Sequence, residues 1–251
     1  MRIPLLLSRL SLILVSLMLA TGFTKLSAQN KKQKTDSQSV KEKIEKIERS
    51  SNSNDNTNAR TPQEGVDGSQ YVLNCSECHG FDGNSPSQKW PNIAGLNQKY
   101  IIRQLDDFRS GKRINEEMTL IVQEFPSSKE LTSLAKYFSK QQMINKNTSE
   151  SIKSHEFVDL KLGKEIFTGK RVEYGIPACS ACHAKDGMGD EEGKYPRLAG
   201  QNMDYIIKQM ELFRSKKRAN DIPPQMRGIA GQMDDEDIAS VAAYIAYMKP
   251  E

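Results

Sequence analysis

The pattern C-x-x-C-H occurs twice in this chain, at Cys75–His79 and at Cys179–His183, and the two copies use all four cysteines. In such a pattern two thiols add to the vinyl groups of a haem, and the adjacent histidine binds the iron from one side. The sequence therefore predicts two covalently bound haem c groups per chain. Their attachment points would be Cys75, Cys78, Cys179 and Cys182, and the first axial iron ligands would be His79 and His183.

Two other interpretations of paired cysteines fit the sequence less well. A four-cysteine zinc site needs both pairs on one metal, but the pairs lie 104 residues apart and the histidine after each would have no role. Thioredoxin-like redox chemistry requires one C-x-x-C in a βαβ setting, and neither copy has such a setting.

The second axial ligand decides whether each iron is closed, as in an electron carrier, or open, as in an enzyme or a gas-binding protein. A ligand that serves both haems must come from a residue that both halves of the chain repeat. Methionine qualifies, because Met118 lies 39 residues after His79 and Met226 lies 43 residues after His183. The only histidine outside the motifs, His155, cannot serve both haems. We therefore expect Met118 and Met226 to complete the two iron sites.

Other methionines compete for this role in the second half of the chain. Met233 lies almost at the start of a predicted helix and Met188 lies close to the attachment motif, and neither has a counterpart in the first half. Met226 is flanked by prolines and a glycine, as is typical of a loop. The alternative role for any of these methionines is to fill a gap in an apolar core.

An internal duplication covers most of the chain. When Trp90–Arg113 is aligned with Tyr195–Arg218, thirteen of twenty-four positions are identical, with an offset of 105 residues against 104 between the two motifs. The duplication predicts two related domains, 65–148 and 149–251, which join in the polar stretch 145–154. One extra residue belongs to the second copy.

Apolar residues recur at helical spacing in both halves, and no convincing alternating strand pattern occurs. We predict helices over 160–168, 128–140 and 235–248, and one in each half that carries the repeated Tyr, Ile, Gln and Phe positions. Ser127 or Ser128, and Asp234 or Asp235, are the expected N-caps. The predicted fold class is all-α, with a few helices around each haem.

The N-terminal segment 1–28 has the basic start, short apolar run and small residues of a secretory signal peptide. Cleavage after Ala28 is one expectation, and retention as a membrane anchor is the other. Residues 29–64 are polar and predict a disordered tether. The formal charge is +4, but the basic residues of 1–64 account for it, and 65–251 carry about −1. No basic stripe with interleaved aromatic residues occurs, so we expect no nucleic-acid partner.

The two motifs, the paired WPNIAG and YPRLAG segments, the FRSGKR and FRSKKR ends and the segment RANDIPPQMRGIAGQMDDED resemble the di-haem cytochrome c4 family. The resemblance covers nearly all of 65–249. It implies two tandem class I cytochrome c domains, a periplasmic location, often with peripheral or anchored membrane association, and redox partners. These would be a quinol-oxidising complex as donor and a haem-copper terminal oxidase as acceptor. The sequence leaves the oligomeric state open.

Pro91 and Pro196 follow an aromatic residue at matching distances from the two motifs. In small c-type cytochromes a proline at this place offers its carbonyl oxygen to the iron-binding histidine and fixes the ring. The alternative is an ordinary loop proline.

The sequence favours a one-electron carrier without substrate turnover. The alternative is a di-haem oxidoreductase, of the peroxidase or thiosulfate dehydrogenase type, in which one iron has an open or exchangeable position. A further alternative is an electron-transfer subunit permanently docked on an oxidase. Methionine ligation at both irons separates the carrier from the enzyme.

Overall fold

The computed structural model describes residues 71–125, 127–147, 155 and 157–249. Within these ranges the regular elements are helical and no β-strand occurs, as predicted. The predicted signal peptide with its cleavage point, the tether and the domain boundary near residue 148 lie outside the described residues. In the part of the chain that is described, no helix is long and apolar enough to cross a membrane.

Two sets of helices follow one another along the chain. The first lobe, residues 71–147, contains α1 (Leu73–His79), α2 (Gln98–Arg109), α3 (Glu116–Gln123) and α4 (Ser128–Ser139). The second lobe, residues 155–249, contains α5 (Leu160–Thr168), a 3₁₀ turn (Val172–Tyr174), α6 (Ser180–His183), α7 (Met203–Arg214), α8 (Gln225–Ala230) and α9 (Asp235–Tyr247). Helix α2 corresponds to α7, and α4 corresponds to α9, under the duplication.

Capping side chains begin several of these helices where the sequence predicts. The Ser127 hydroxyl accepts a hydrogen bond from the Lys129 amide at the start of α4. At the start of α9, Asp234 and Asp237 form a reciprocal capping box. The predicted bounds of α5 are confirmed, and α4 and α9 end one residue earlier than expected.

Among the short helices that the sequence analysis did not predict, α3 and α8 each carry a candidate methionine ligand. Met118 lies on α3, which begins where the Asn115 side chain accepts from the Met118 amide. The expectation that a loop carries Met226 is wrong, because Met226 is the second residue of α8. Pro224 precedes this helix, at a position where the missing N–H group costs no hydrogen bond, so the proline initiates the helix instead of breaking it.

Each lobe has its own apolar core. In the first lobe α2 packs on α4, and the fully buried side chains include Leu131 and Phe138. In the second lobe α9 packs on both α5 and α7, and Ile166 and Phe167 are completely buried. Helix α9 approaches α5 closely because Gly163 faces the Ser240 carbonyl group without a side chain.

The extra residue of the second copy lies in one loop. In the first lobe the Gly83 carbonyl oxygen accepts from the Ile93 amide at 2.7 Å, ten residues later. In the second lobe the Gly187 carbonyl oxygen accepts from the Leu198 amide, also at 2.7 Å but eleven residues later. The additional residue therefore falls between Gly187 and Leu198.

Candidate haem sites

One cavity of about 1460 Å³ contains both C-x-x-C-H motifs. Ligand cavities in proteins are typically about 300–1,000 Å³, so this one has room for more than one cofactor. Its wall is largely apolar and comes from both lobes. The structure brings into this wall all ten residues that the sequence assigns to the haems: Cys75, Cys78, His79, Pro91, Met118, Cys179, Cys182, His183, Pro196 and Met226.

Local backbone geometry sets the orientation of each motif. In the first lobe the motif forms the end of α1, where Cys75 and Cys78 are three residues apart and share one helix face. The helix ends after His79 because Gly80 has a positive φ of 75°. In the second lobe Ala184 takes the same conformation, with φ of 66°, directly after His183. Each histidine thus lies at the last helical residue.

Burial raises the pKa of the first cysteine of each motif. All four cysteines are free of disulfides and partly buried. Burial, with a smaller effect of Cys78, raises the pKa of Cys75 to about 12, and burial raises the pKa of Cys179 to about 11. Reactive and metal-binding thiols have lowered pKa values instead. Among the described residues no group of three or more His, Cys, Asp or Glu side chains is arranged to hold a metal ion.

The two motif histidines are buried, neutral and fixed in orientation. His79 Nδ1 lies 2.9 Å from the Pro91 carbonyl oxygen, and His183 Nδ1 lies 2.8 Å from the Pro196 carbonyl oxygen. A carbonyl oxygen only accepts, so Nδ1 carries the proton and the Nε2 lone pair is left for a metal. Burial lowers the pKa of both imidazoles, and the hydrogen bond to proline offsets this only in part.

The methionines divide clearly by position. Met118 and Met226 are half-buried and line the cavity. Met233 is only 4% exposed and belongs to the core of the second lobe, and Met188 is 39% exposed. Neither of these two rivals lines the cavity. A third cavity methionine, Met210, was not predicted as a site residue and has a leucine at the equivalent position of the first lobe.

Helix α8, which carries Met226, is held by an ion pair at its start. The Asp221 carboxylate accepts from the Arg227 amide at 2.9 Å and from Arg227 Nε at 2.6 Å. The side chain of Asp221 is only 10% exposed. This contact holds the first turn of α8, the helix that carries Met226.

Polar side chains fix the two lobes against each other. Asn92, Gln201 and Asn202 are all buried. The backbone N–H group of Asn92 donates to Gln201 Oε1 at 2.7 Å, and Gln201 Nε2 donates to the backbone carbonyl oxygen of Asn92 at 2.8 Å. Asn202 Nδ2 donates to the carbonyl oxygen of Trp90 at 2.7 Å. These hydrogen bonds favour one relative placement of the two lobes, because the buried donors and acceptors would lose their partners in any other placement.

A second contact between the lobes lies at the loop that carries the extra residue. Asn97 Nδ2 donates to the carbonyl oxygens of Asp190 and Glu191 at 3.1 and 2.8 Å. Arg103 donates to the carbonyl oxygen of Gly193 at 2.7 Å. Asn97 also caps α2 by accepting from the Lys99 amide.

The cavity also contains functional candidates that sequence reasoning missed. Arg113 and Arg218 end the repeated segments, and both are buried in the cavity wall. The sequence signal was their recurrence at equivalent positions of the duplication, but their burial, which is rare for arginine without a partner, is visible only in the structure.

A haem fits these surroundings. Trp90 Nε1 is buried and has no hydrogen-bond partner among the described residues, although it belongs to a side chain in the cavity wall. An apolar wall with an unpaired donor suits an apolar macrocycle that carries polar substituents. His79 and His183, with free Nε2 atoms, would hold the iron, and the four cysteines would bind the macrocycle.

Comparisons with known proteins agree with this site. The Cytochrome c family model matches residues 160–249. Cytochrome c4 of Pseudomonas aeruginosa is 34% identical over 172 residues, which cover 68% of this chain and 82% of that protein. The thiosulfate dehydrogenase electron acceptor of Stutzerimonas stutzeri is 32% identical over 183 residues, covering 70% of this chain and 79% of that protein.

Reduced recombinant cytochrome c4 from Pseudomonas stutzeri has a similar structure, with a TM-score of 0.67 and 32% sequence identity. The match covers 75% of this chain and all of that one. The predicted fold of tandem class I cytochrome c domains and the two covalently bound haem c groups are thereby confirmed. The chain belongs to the di-haem cytochrome c4 family.

Proposed function

We propose that this di-haem c-type cytochrome is a periplasmic one-electron carrier without substrate turnover, with His79 and Met118 on one iron and His183 and Met226 on the other. In this proposal it accepts electrons from a quinol-oxidising complex and delivers them to a haem-copper terminal oxidase. Electron transfer as such follows from the family. The ligands, the partners, the periplasmic location and tethering by the N-terminal segment are the proposed part.

The observation that carries the ligand assignment is the placement of the methionines. One methionine from the repeated pair reaches the cavity in each lobe, whereas Met188 and Met233 do not. If Met118 and Met226 bind the irons together with the motif histidines, neither iron would have a free position for a substrate, and the ferrous state would be favoured. A closed site of this kind supports a carrier.

The chain's own residues prepare both sites for electron transfer. When bound, each haem iron takes up and releases a single electron. Pro91 and Pro196 hold the imidazoles by their Nδ1 protons, so the rings do not turn when the iron changes charge. The Asp221 contact holds α8. The largely apolar wall limits water around the macrocycles, which favours the less charged ferrous state.

Absorption spectroscopy of the purified holoprotein tests the ligand assignment. We expect two haems per chain, the weak methionine-to-ferric-iron band and no change in the reduced spectrum when carbon monoxide is added. Met118→Ala and Met226→Ala should each open one iron, so that half of the haem binds carbon monoxide. Met188→Ala is the matched control and should bind none, because Met188 lies outside the cavity. Carbon monoxide binding by the unmodified protein would favour the oxidoreductase instead.

The identity of the electron donor needs a separate experiment. A relative named as the electron acceptor of a thiosulfate dehydrogenase makes such an enzyme a second candidate donor. Stopped-flow reduction of the oxidised protein should be fast with a quinol-oxidising complex and quinol. Fast reduction only by a thiosulfate dehydrogenase with thiosulfate would replace the proposed donor, and reduction by thiosulfate alone would indicate an enzyme. Co-purification with an oxidase after detergent extraction would indicate a docked subunit.

A further inference from the structure

Three apolar side chains are exposed around the first haem attachment site. Leu73 is 53% exposed, Ile114 is 78% exposed and Leu120 is 62% exposed. Leu73 begins α1 two residues before the first cysteine of the motif, Ile114 lines the cavity, and Leu120 lies on α3. Large apolar side chains that are exposed together next to a cofactor indicate a surface that another protein covers.

Carboxylates surround these apolar side chains. We refer to them as the acidic rim: Glu77, Glu116, Glu117 and Glu124, all of which are exposed. Glu116 and Glu117 form the first turn of α3, and Glu117 also lines the cavity. Glu124 follows the last residue of α3, and its Oε2 atom accepts a hydrogen bond from Asn74 Nδ2 of α1 at 3.1 Å. The acidic rim therefore extends from α1 along both ends of α3.

The acidic rim lies at the point where the first haem is attached. Burial raises the pKa of Cys78, Glu117 and Glu77 raise it further, and Lys89 acts in the opposite direction. Cys78 is only partly buried. A thioether bond at this cysteine would place one edge of the macrocycle beside the two carboxylates. A protein that covers the rim would therefore lie next to the first haem.

Two exposed lysines of the cavity wall offset the acidic rim only in part. Lys89 Nζ lies 3.6 Å from Glu117 Oε1, and both side chains are more than half exposed, so this ion pair is weak. Lys112 also lines the cavity. The duplication repeats both lysines, because Lys194 and Lys217 occupy the equivalent positions of the second lobe. The lysines therefore do not distinguish the two attachment sites.

The carboxylates of the acidic rim do distinguish them, because the second lobe has uncharged residues at the equivalent positions. Glu77 corresponds to Ala181 in the second motif. When the two candidate methionine ligands are aligned, the other three carboxylates correspond to Pro224, Gln225 and Gln232. Asp221, a carboxylate of the second-lobe cavity wall, is already paired with Arg227. Only the first attachment site therefore has an acidic surround.

We propose that the acidic rim and the apolar side chains within it form the docking surface for a redox partner with a cationic contact surface, in which lysines or arginines surround an apolar centre. Opposite charges steer such a partner toward the rim, and the apolar side chains then pack against it. One electron passes between the first haem and the cofactor of the partner, so that one is reduced as the other is oxidised. Because the second attachment site lacks the rim, this partner should prefer the first lobe. The inference rests on the proposed electron-transfer function and adds the chemistry of one partner.

Laser flash photolysis of the holoprotein with a zinc-substituted, lysine-rich cytochrome c as probe tests the proposal. The excited zinc porphyrin is oxidised as it donates one electron to a ferric haem, and the decay of its triplet state gives the bimolecular rate constant. This rate constant should fall steeply as the ionic strength rises, because salt screens the attraction between exposed charges.

The double variant Glu77→Ala/Glu117→Gln gives the acidic rim the residues of the second lobe. It should lower the rate constant at low ionic strength on the order of tenfold and weaken its salt dependence. The matched control is Glu165→Gln/Glu236→Gln, which removes two carboxylates outside the cavity wall. Its rate constant should stay close to that of the unmodified protein.

Carbodiimide cross-linking locates the contact independently of the rate. The reagent joins a carboxylate to a lysine amine that touches it. After digestion of the cross-linked complex with the same lysine-rich cytochrome c, mass spectrometry should find the joined peptides at the acidic rim of the first lobe.

Three results would overturn the proposal. They are equal rate constants for the rim variant and its control, a rate constant that does not fall with ionic strength, and cross-links confined to the second lobe. Failure of the proposed carrier has a different signature, because carbon monoxide binding by the unmodified protein would reveal an open iron without changing any of these three results.

Discussion

Gly193 is a position where a single methyl group should separate the two lobes. It lies in the loop with the extra residue and has a φ of 67°. A Cβ atom there would be 2.6 Å from Asn97 Oδ1 and 2.8 Å from the Tyr100 amide nitrogen. The Tyr100 nitrogen belongs to the backbone of α2 and cannot move alone, so Gly193→Ala must displace Asn97 and the loop.

The expected cost follows from the contacts that are lost. A left-handed backbone costs a residue other than glycine about 1–2 kcal/mol. Two hydrogen bonds from Asn97 to the carbonyl oxygens of the loop contribute about 1 kcal/mol each, and loss of the cap on α2 costs about 1 kcal/mol. We therefore expect Gly193→Ala to lower the free energy of unfolding by about 4–5 kcal/mol.

Guanidinium unfolding of the holoprotein, followed by far-ultraviolet circular dichroism, measures this difference. Gly111→Ala is the matched control, because Gly111 has a similar φ of 74° but no atom within 4 Å of the added Cβ. The control should lose only the backbone cost of about 1–2 kcal/mol. Equal losses in the two variants would refute the argument that Gly193 is required by the contact between the lobes.

Two further predictions concern glycines and their counterparts. Gly80→Ala places a Cβ 2.6 Å from the Asn84 carbonyl oxygen at a φ of 75° and should lower the free energy of unfolding by at least about 2 kcal/mol. Ala184→Gly at the equivalent position should raise the free energy of unfolding by about 0.5–1 kcal/mol. Thermal unfolding compares the two variants, and destabilisation by Ala184→Gly would contradict the reasoning. Gly163→Ala brings a methyl group against the Ser240 carbonyl group and should cost about 2–3 kcal/mol by forcing α5 from α9. An unchanged melting temperature would show that the helices can separate without loss.

Much of the haem chemistry and the longer helices could be predicted from sequence. The C-x-x-C-H motif has few other uses, and the repeated methionines could be recognised because the duplication provides an internal comparison. Apolar periodicity over twelve or thirteen residues predicts the long helices α2, α4, α7 and α9.

The short helices could not be predicted in the same way. Helix α8 has only six residues and follows two prolines, so local signals favour a loop. Its stability comes from the buried contact of Asp221 with Arg227, a pairing that side-chain periodicity does not reveal. The two buried arginines of the cavity wall were missed for a related reason. Arg113 and Arg218 look like the polar ends of surface helices until the other lobe covers them.

The symmetry of the duplication is broken at the contacts between the lobes, and this has a physical consequence. Asn97 and Asn202 are equivalent residues, and each donates to loop carbonyl groups of the other lobe. However, Asn97 also caps its helix and Asn202 does not. The buried Asn92 bonds across the interface, whereas its counterpart Arg197 donates within its own lobe.

The extra residue lies in the loop of the second lobe whose carbonyl oxygens accept hydrogen bonds from Asn97 and Arg103. A perfectly symmetric pair of lobes would place the two cofactors in identical fields, with no preferred location for a single electron. Residues at the interface diverged while the helices that build each core kept their pattern. The two lobes therefore share one fold, but different residues surround their two haem sites.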